Sequence, residues 1–422
     1  MNHIERLLQT LAPKGVEFKT LEQVFEIKNG YTPSKNNPEF WEKGTIPWFR
    51  MEDIRENGRI LKDSIQHITP KALKGKKLFP KNSIIISTTA TIGEHALLIV
   101  DSLANQRFTF LSKKANCGIA LDMKFFFYQC FLLGEWCKKN TNVSGFASVD
   151  MTAFKKYKFP IPPLEIQQEI VKILDAFTEL NTELNTELKA RKKQYEYYQN
   201  MLLDFKGINQ NHKDAKMSAK TYPKRLKTLL QTLAPKGVEF RKLGEVCDFQ
   251  KGKSITKKAV TFGKVPVISG GRQPAYYHNE ANRSGETIAI SSSGVYAGYV
   301  SYWDIPVFLA DSFSVSPKQK TLMPKYLFHY LTTQQDAIHA TKSTGGIPHV
   351  YSKDLQNFLI PIPPLEIQQE IVKILDQFLA LTTDLLAGIP AEIKARKKQY
   401  EYYREKLLSF KPLTPHKEVK KC

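Results

Sequence analysis

The stretch PIPPLEIQQEIVKILD stands at residues 160–175 of this chain and returns, letter for letter, at residues 361–376. Two other blocks recur with it: LLQTLAPKGVEF at 7–18 and 229–240, and ARKKQYEYY at 190–198 and 395–403. Identical blocks of this length in the same order indicate an internal duplication, which decides the architecture before any single element is assigned. The chain therefore consists of two half-molecules in tandem, each with a short leader, a long variable region and a common segment.

The two variable regions differ in sequence but keep a parallel order of elements. The β-branched runs at 83–88 and 287–292 are bounded by Gly, Ser and Pro, a pattern typical of short strands. Residues 123–137 and 324–332 are predicted to be helices. Each variable region is therefore predicted to be one α/β (α+β) globular domain. The predicted parts, in chain order, are a leader at 1–18, a first domain at 19–159, a first spacer helix at 160–205, a basic linker at 206–228, a second leader at 229–240, a second domain at 241–360, a second spacer helix at 361–410 and a basic tail at 411–422.

Each common segment carries apolar residues at alternating steps of three and four, which is the spacing of a coiled coil. The first series runs from Ile166 to Leu202 and the second from Ile367 to Leu407. A stripe this long needs a partner, so the two segments are predicted to be paired long helices. The alternative is a pair of amphipathic helices buried in separate cores. Gly388 and Pro390 are expected to kink or break the second helix.

The balance of charge is strongly basic. Lys and Arg number 62 against 41 Asp and Glu, a formal net charge of +21. Such a balance predicts a polyanionic partner, either nucleic acid or an anionic membrane surface. A surface that is merely basic and well solvated is the alternative.

Several classes of protein are excluded by what the sequence lacks. The five cysteines form no CxxC pair, so neither a zinc site nor a disulfide framework is indicated, and a reducing cytoplasm is expected. The first residues have no apolar run of a signal peptide, and no apolar stretch approaches the roughly 20 residues of a membrane span. No P-loop, GxGxxG, HExxH or GxSxG motif is present. The chain is therefore predicted to bind and position rather than to catalyse, without a metal or cofactor of its own.

A tandem tetrapeptide lies within the first predicted helix. Residues 178–188 read TELNTELNTEL. Four residues add about one helical turn, roughly 6 Å, while one base pair advances about 3.4 Å along DNA. Adding or deleting one tetrapeptide would therefore change the separation of two DNA-binding domains by one or two base pairs. An ordinary exposed helix with a history of replication slippage is the alternative.

The repeated PIPPLEIQQEIVKILD, the paired ARKKQYEYY, the LAPKGVEF leaders and the Thr-Glu-Leu-Asn tandem closely resemble the specificity subunit of type I restriction–modification systems. The resemblance extends over nearly the whole chain. It implies two target-recognition domains joined by two long antiparallel coiled-coil helices, with an internal pseudo-two-fold duplication. Each domain would read one half of a split double-stranded DNA site, and the tandem would set the unread gap.

The same resemblance implies partners that carry the chemistry. Two modification (methyltransferase) subunits would bind S-adenosylmethionine, and restriction subunits would use ATP and Mg²⁺, whereas this chain would have no catalytic residues. The leaders and common helices are the expected docking surface. The partner-binding candidates are Ile166, Ile170, Ile173, Ile367, Ile371 and Ile374.

Residues that contact DNA are predicted from side-chain chemistry alone, because recognition domains of this family diverge with their targets. Arg and Lys favour guanine and phosphate, and Asn and Gln favour adenine. For each residue, an ordinary surface or turn role is the alternative. The candidates in the first domain are Lys28, Asn29, Tyr31, Lys35, Arg50, Thr88, Thr89, Gln106, Arg107 and Ser144, and those in the second are Lys251, Lys253, Ser254, Arg272, Gln273, Ser291, Ser292, Tyr296, Lys342 and Thr344. The glycine-containing loops 269–273 and 342–346 are the strongest of these.

Two other functions are compatible with the sequence. One is a coiled-coil scaffold for proteins whose DNA affinity is incidental and non-specific. The other is an orphan regulator or nicking enzyme, which would need a catalytic site that the motifs do not provide. A measured bipartite DNA consensus would separate the specificity subunit from the scaffold.

Overall fold

The computed structural model describes residues 2–142, 147–205, 222–318, 320–343, 346–383 and 388–413. The chain divides into two compact units, which do not follow the order of the two half-molecules. The first unit comprises residues 1–183 and 394–422, and the second comprises residues 184–393. Each unit thus contains one variable region, the beginning of one long helix and the end of the other.

The first unit is built on two small sheets and a long buried helix. Its helices are α1 (Asn2–Leu11), α2 (Leu21–Val24), α3 (Met51–Asn57), α4 (Met123–Lys139), α5 (Met151–Lys156) and the beginning of α6 (Leu164–Leu203). Its strands are β1 (Glu17–Thr20), β2 (Phe25–Asn29), β3 (Ile46–Phe49), β4 (Ile60–Leu61), β5 (His67–Ile68), β6 (Ser83–Ser87), β7 (His95–Leu98), β8 (Leu103–Ala104), β9 (Phe108–Lys113), β10 (Thr141–Asn142), β11 (Ser148–Val149) and β12 (Lys158–Ile161).

The main sheet of the first unit has the order β2-β9-β6-β7-β4, and a second sheet has the order β5-β3-β8. All five residues of β6, which reads SIIIS, are buried, because a central strand is covered on both faces. Helix α4 packs beside β6 and β7. It begins where the Asp122 side chain accepts hydrogen bonds from the Lys124 and Phe125 backbone amides, an N-cap that satisfies otherwise unpaired donors.

The second unit repeats this plan with different residues. Its helices are α7 (Lys224–Leu233), α8 (Leu243–Val246), α9 (Pro324–Thr333), α10 (Gln335–Ala340), α11 (Ser352–Leu355), α12 (Leu365–Thr383) and the beginning of α13 (Ile389–Leu408). Its strands are β13 (Phe240–Lys242), β14 (Cys247–Lys251), β15 (Val265–Ile268), β16 (Tyr276–His278), β17 (Thr287–Ser291), β18 (Val300–Trp303), β19 (Phe308–Leu309), β20 (Ser312–Pro317) and β21 (Leu359–Pro361). The sheet orders are β14-β20-β17-β18 and β16-β15-β19. The prediction of two α/β (α+β) domains is therefore confirmed.

The long helices pair in an antiparallel manner within each unit. In the first unit Phe177, near the beginning of α6, stacks on Tyr403, near the end of α13, with 5.6 Å between ring centroids. In the second unit Tyr198, near the end of α6, stacks on Phe378 of α12 at 5.1 Å. These contacts contradict the alternative of unrelated helices in separate cores. The predicted break is also confirmed, since Gly388 lies outside a helix and the next helix begins at Ile389.

Most positions of the predicted apolar series are buried or half-buried, but not all. Leu184 and Leu202 are buried, whereas Leu381 is 38 % exposed. Leu385 lies outside the described residues. The apolar spacing of the second helix therefore predicts burial at Leu381, just ahead of the break, where the side chain is in fact exposed.

The duplicated block ties each long helix to its own domain. Gln167 is fully buried; its side chain accepts a hydrogen bond from the Asp122 amide and donates to the carbonyl groups of Ala120 and Pro162, at 2.7–2.9 Å. Gln368 makes the same three bonds in the second unit, to the Met323 amide and the carbonyl groups of Thr321 and Pro363. One identical glutamine thus fixes the beginning of α4 or α9 against the helix that follows the domain.

The six isoleucines predicted to bind a partner belong to the same block. Ile166, Ile170, Ile367 and Ile371 have no exposed surface and lie in the cores of their own units. In this fold these four hold the helix to its domain and are not available to a partner. Partner binding stays a prediction for Ile173 and Ile374, which are half-buried.

Candidate nucleic-acid interface

Most of the predicted DNA-binding residues of the first domain converge on one edge of its main sheet, whereas Lys28 lies within β2 and Lys35 lies outside this edge. In the register of this sheet Asn29 pairs with Thr109, Ser87 pairs with Phe108, and Ile86 pairs with His95. The carboxyl ends of β2 and β6 and the amino ends of β7 and β9 therefore meet in one row. We call the loops at this row, residues 29–31, 50, 88–94 and 105–107, the first loop edge.

The second domain has the same edge. Lys251 pairs with Phe313, Ser291 pairs with Ser312, and Ile290 pairs with Val300. The loops that leave this row, residues 251–254, 269–273, 292–299, 310–311, 342–343 and 346–349, form the second loop edge. Residues 342–343 and 346–349 join it because the Gly294 amide donates to the Pro348 carbonyl group and the Ser343 amide donates to the His349 carbonyl group.

Matched backbone hydrogen bonds hold both loop edges in one common frame. The pairs of equivalent bonds are Gly30 N to Phe108 O and Gly252 N to Ser312 O, both 2.8 Å; Thr88 N to Arg107 O at 3.2 Å and Ser292 N to Asp311 O at 3.0 Å; and Val149 N to Thr88 O and Val350 N to Ser292 O, both 2.9 Å. The frame consists of backbone atoms only. Its side chains are therefore free to differ between the domains without changing the loop geometry.

Most candidates of the first domain are accessible. Lys35, Gln106 and Arg107 are exposed, and the Gln106 and Arg107 backbone amides are held by the Thr32 hydroxyl and the Asn105 side-chain carbonyl. The other accessible candidates are Lys28, Asn29, Tyr31, Arg50 and Thr89. Lys28 lies 2.9 Å from Glu26, and its hydrogen bond and charge lower the pKa of that carboxyl group. Lys28 is therefore partly neutralised.

Loop 269–273 of the second domain, one of the two strongest DNA-binding candidates, holds its cationic side chain against aromatic rings. The Arg272 guanidinium carbon lies 5.0 Å from the Tyr296 ring centroid and 5.5 Å from that of Tyr299, a cation–π arrangement that holds the side chain without neutralising it. Lys251, Lys253, Ser254 and Gln273 are exposed beside it, and Ser292 and Lys342 are half-buried. Among the described residues, no carboxylate lies within ion-pair distance of Arg107, Arg272 or Lys342. These cations are available to phosphate or base atoms.

Two candidates are not accessible. Thr88 is buried and its hydroxyl lies 3.0 Å from that of Thr109, while the buried Ser291 hydroxyl donates to the Ser269 carbonyl group at 3.2 Å. Both hydroxyls are used to hold the loops, so direct contact with a base is excluded for them in this conformation. Ser144 and Thr344 lie outside the described residues.

Sequence reasoning missed several residues at these edges. Asp311 is exposed and its carboxylate accepts a hydrogen bond from the Ser293 hydroxyl. Tyr299 and His349 enter the second loop edge from separate segments. No local signal marks these residues, because Tyr299 and Asp311 meet only through pairing of β17 with β18 and β20, and His349 joins them through its bridge to Ser293.

The first loop edge also opens into a cleft of about 570 Å³. It is lined by Met51, Ile54, Arg55, Ala90, Thr91, Ile92, Glu94, Lys138, Thr141 and Ala147. Within the parts of the chain that the structure describes, no three His, Cys, Asp or Glu side chains are grouped as metal ligands. Over the same residues, no helix has the length and apolar character needed to cross a membrane.

The sequence matches a family model described as the type I restriction modification DNA specificity domain, at residues 13–193 and again at 235–395. The EcoprrI specificity subunit of Escherichia coli, a type I restriction enzyme component, is 40 % identical over 400 residues, which cover 91 % of this chain and 92 % of that protein. The EcoR124I/EcoR124II specificity subunit, also from Escherichia coli, is 33 % identical over 311 residues, covering 65 % and 70 % of the two chains.

The fold is also similar to a solved structure. The S subunit of the type I restriction–modification system from M. genitalium superposes with a TM-score of 0.58 at 20 % identity, covering 93 % of this chain and 96 % of that one. At this identity the likeness concerns the fold alone.

Proposed function

The chain belongs to the type I restriction–modification DNA specificity family and is a specificity subunit with two target-recognition domains, and on this basis we propose that its two loop edges are the surfaces that read DNA. The observation that carries the proposal is the common frame. Two domains of unrelated sequence present different side chains from the same backbone hydrogen bonds. This is what two readers of different short sequences require.

Affinity and specificity come from different atoms of these edges. Unpaired cations such as Arg107 and Lys253 neutralise phosphates, a contribution that is independent of sequence and weakens with salt. Groups that reach base edges in the major groove supply the sequence preference. Each half of a bipartite double-stranded site is thus recognised by one loop edge.

The paired helices set the unread gap between the half-sites. Helix α6 runs without interruption through the tandem at 178–188. A change of four residues keeps it helical and alters its length by about one turn. The length of the gap therefore depends on the number of tetrapeptides.

Two copies of a modification subunit dock on the duplicated segments, and restriction subunits complete the complex. The support is a set of apolar side chains that are equally exposed in both copies of the repeat: Leu11 41 % and Leu233 39 %, Leu164 37 % and Leu365 36 %, Tyr402 60 % and Tyr197 59 %. Equal exposure at equivalent positions of the two copies is what two identical docking sites require. This chain is non-catalytic and binds no cofactor; S-adenosylmethionine, ATP and Mg²⁺ belong to the partners, and the complex is cytoplasmic.

Docking is tested by changing both copies together. Leu164→Lys with Leu365→Lys is expected to abolish co-purification of modification subunits at two per chain. The control is Gln168→Lys with Gln369→Lys, which alters exposed neighbours in the same repeat. Undiminished binding of two subunits by the leucine variant would contradict the docking surface.

Recognition is tested by selecting random duplex DNA with the full-length chain. We expect a split motif with a fixed gap, and the double change Arg272→Ala and Gln273→Ala is expected to relax one half only. Binding without sequence preference, lost near physiological salt, would instead support the coiled-coil scaffold. Equal loss at both halves would contradict separate reading by the two domains.

A further inference from the structure

One position of the common frame carries opposite charges in the two domains. The Arg107 carbonyl group accepts from the Thr88 amide, and the Asp311 carbonyl group accepts from the equivalent Ser292 amide. Both residues directly precede the matching strands β9 and β20, and both are exposed. The backbone is therefore the same, and only the chemistry of the side chain differs.

Asp311 is not explained by a structural role. Its carboxylate accepts a hydrogen bond from the neutral hydroxyl of Ser293, and no cation among the described residues lies within ion-pair distance. The Ser269–Gly270 segment lies close by, since a Cβ on Gly270 would stand 3.7 Å from an Asp311 carboxylate oxygen. The carboxylate is therefore held on a loop edge that is otherwise basic.

A carboxylate on such a surface is repelled by phosphates, so it weakens binding that does not depend on sequence. It becomes favourable only when it accepts a hydrogen bond from a base. Asp and Glu accept from the N4 amino group of cytosine, whereas Arg donates two bonds to O6 and N7 of guanine. The two side chains are thus suited to opposite members of a G·C pair.

We propose that this frame position is a base-reading position in both domains: Arg107 recognises a guanine in the first half-site, and Asp311 recognises a cytosine amino group in the second. The inference rests on the proposed function and deepens it by assigning a base to a residue. The Ser293 hydroxyl, by donating to the carboxylate, orients Asp311 toward the base.

The test is selection of random duplex DNA by the full-length chain and its variants. Asp311→Ala is expected to lower the preference for cytosine at one position of the second half-site about 10- to 100-fold, and to leave the first half-site unchanged. Arg107→Ala is expected to do the same for a guanine in the first half-site. Asp311→Arg is expected to replace the preference for cytosine by a preference for guanine. A merely structural role of Asp311 would not predict this change of preference.

Matched controls come from the opposite edge of the same sheets. Asp248→Ala and Lys113→Ala remove exposed charges at the far ends of β14 and β9 and are expected to leave the motif unchanged. A motif in which Asp311→Ala and Arg107→Ala leave every base preference unchanged would overturn the inference alone. Absence of any split motif for the unchanged chain would overturn the proposed function and the inference with it.

Discussion

At the scale of single residues, the loop edges depend on close approach of backbone to backbone. A Cβ on Gly30 would stand 2.2 Å from the Asn105 carbonyl oxygen, and one on Gly252 would stand 2.5 Å from that of Ala310. Only glycine allows this approach. The two glycines are therefore equivalent parts of the frame, although the segments around them differ.

Gly252→Ala is expected to lower the free energy of unfolding by about 2–3 kcal/mol, because the added Cβ meets backbone on three sides and the loop must move. Equilibrium urea unfolding followed by circular dichroism measures the change. Gly285→Ala is the control: its site has a positive φ of 72° but no atom within 4 Å, so a loss of about 1 kcal/mol is expected. Equal losses for both variants would show that the close approach is not limiting.

The residue scale also separates side chains that hold the loops from side chains that face outward. Polar composition predicted Thr88 and Ser291 as DNA contacts, yet both are buried in strand ends and bonded within the domain. Asp311 was missed because its segment carries no local pattern. Whether a polar residue beside a strand faces inward depends on strand register, which single residues do not reveal.

At the scale of elements, the identity of the two copies of the duplicated block has a structural reason. Each buried glutamine satisfies three backbone groups where a domain helix meets the long helix. An acidic residue follows further along the same helix: Asp175 bonds Lys124 and Tyr128, and Asp376 bonds Lys325 and His329. The identical block thus forms the same contact between the domain helix and the long helix in two otherwise different domains.

Gln368→Leu is expected to cost about 3 kcal/mol of unfolding free energy, since it leaves buried amide and carbonyl groups without partners. Chemical denaturation of the full chain measures the loss. The adjacent Gln369 has the same chemistry but is exposed, so Gln369→Leu should change stability little. A Gln368→Leu variant of unchanged stability would contradict the stabilising role of the three Gln368 hydrogen bonds.

Asp376 is expected to make the second unit sensitive to acid. Burial raises the pKa of its carboxyl group, but hydrogen bonds and positive charge from His329 and Lys325 outweigh burial, so its pKa is lowered. The neighbouring Tyr195 and Tyr302 have raised pKa values because they are buried, and they stay neutral in acid. Because the folded pKa lies below the unfolded value of about 3.9, the stabilisation is present above that pH and is lost as the pH falls through the folded pKa.

Asp376→Asn is therefore expected to lower stability at pH 7 by about 1 kcal/mol, discounted for its partial exposure, and to flatten the dependence of stability on pH below about 4. Urea unfolding at a series of pH values measures both effects. Asp304→Asn, at an exposed position of the same unit, is the control. An unchanged slope in acid would assign the sensitivity to other groups.

At the scale of the whole molecule, the first compact unit combines the two ends of the sequence, residues 1–183 and 394–422, whereas the second is the continuous middle segment 184–393. The boundary between the units falls at Glu183 and Leu184, inside the tandem tetrapeptide. The first unit also contains the contact of the leader with the end of the chain, where the Val16 amide donates to the Lys411 carbonyl group. Because the tandem lies at this boundary, a change in its length is expected to leave the residues of both domains unaltered.

Deletion of Thr182 to Asn185 removes one tetrapeptide from α6 and keeps the series of apolar positions in step. We expect the gap of the target to change by one or two base pairs while both half-sites keep their sequences. DNA selection with the variant and the unchanged chain measures the gap. Altered half-site sequences, or an unaltered gap, would contradict the proposal that the tandem sets the length of the gap.

The sequence by itself determined the duplication, the two long helices with their break, and one buried strand and one helix in each domain. These features depend on local periodicity and on identity between distant blocks, both of which are written in the order of residues. Only the tertiary structure decided that the loop edges share one backbone frame, that Arg107 and Asp311 are equivalent, and that four isoleucines of the repeat are buried. The reason is physical: strand register and helix pairing join segments far apart in the chain, and their geometry comes from packing of the whole unit rather than from any local pattern.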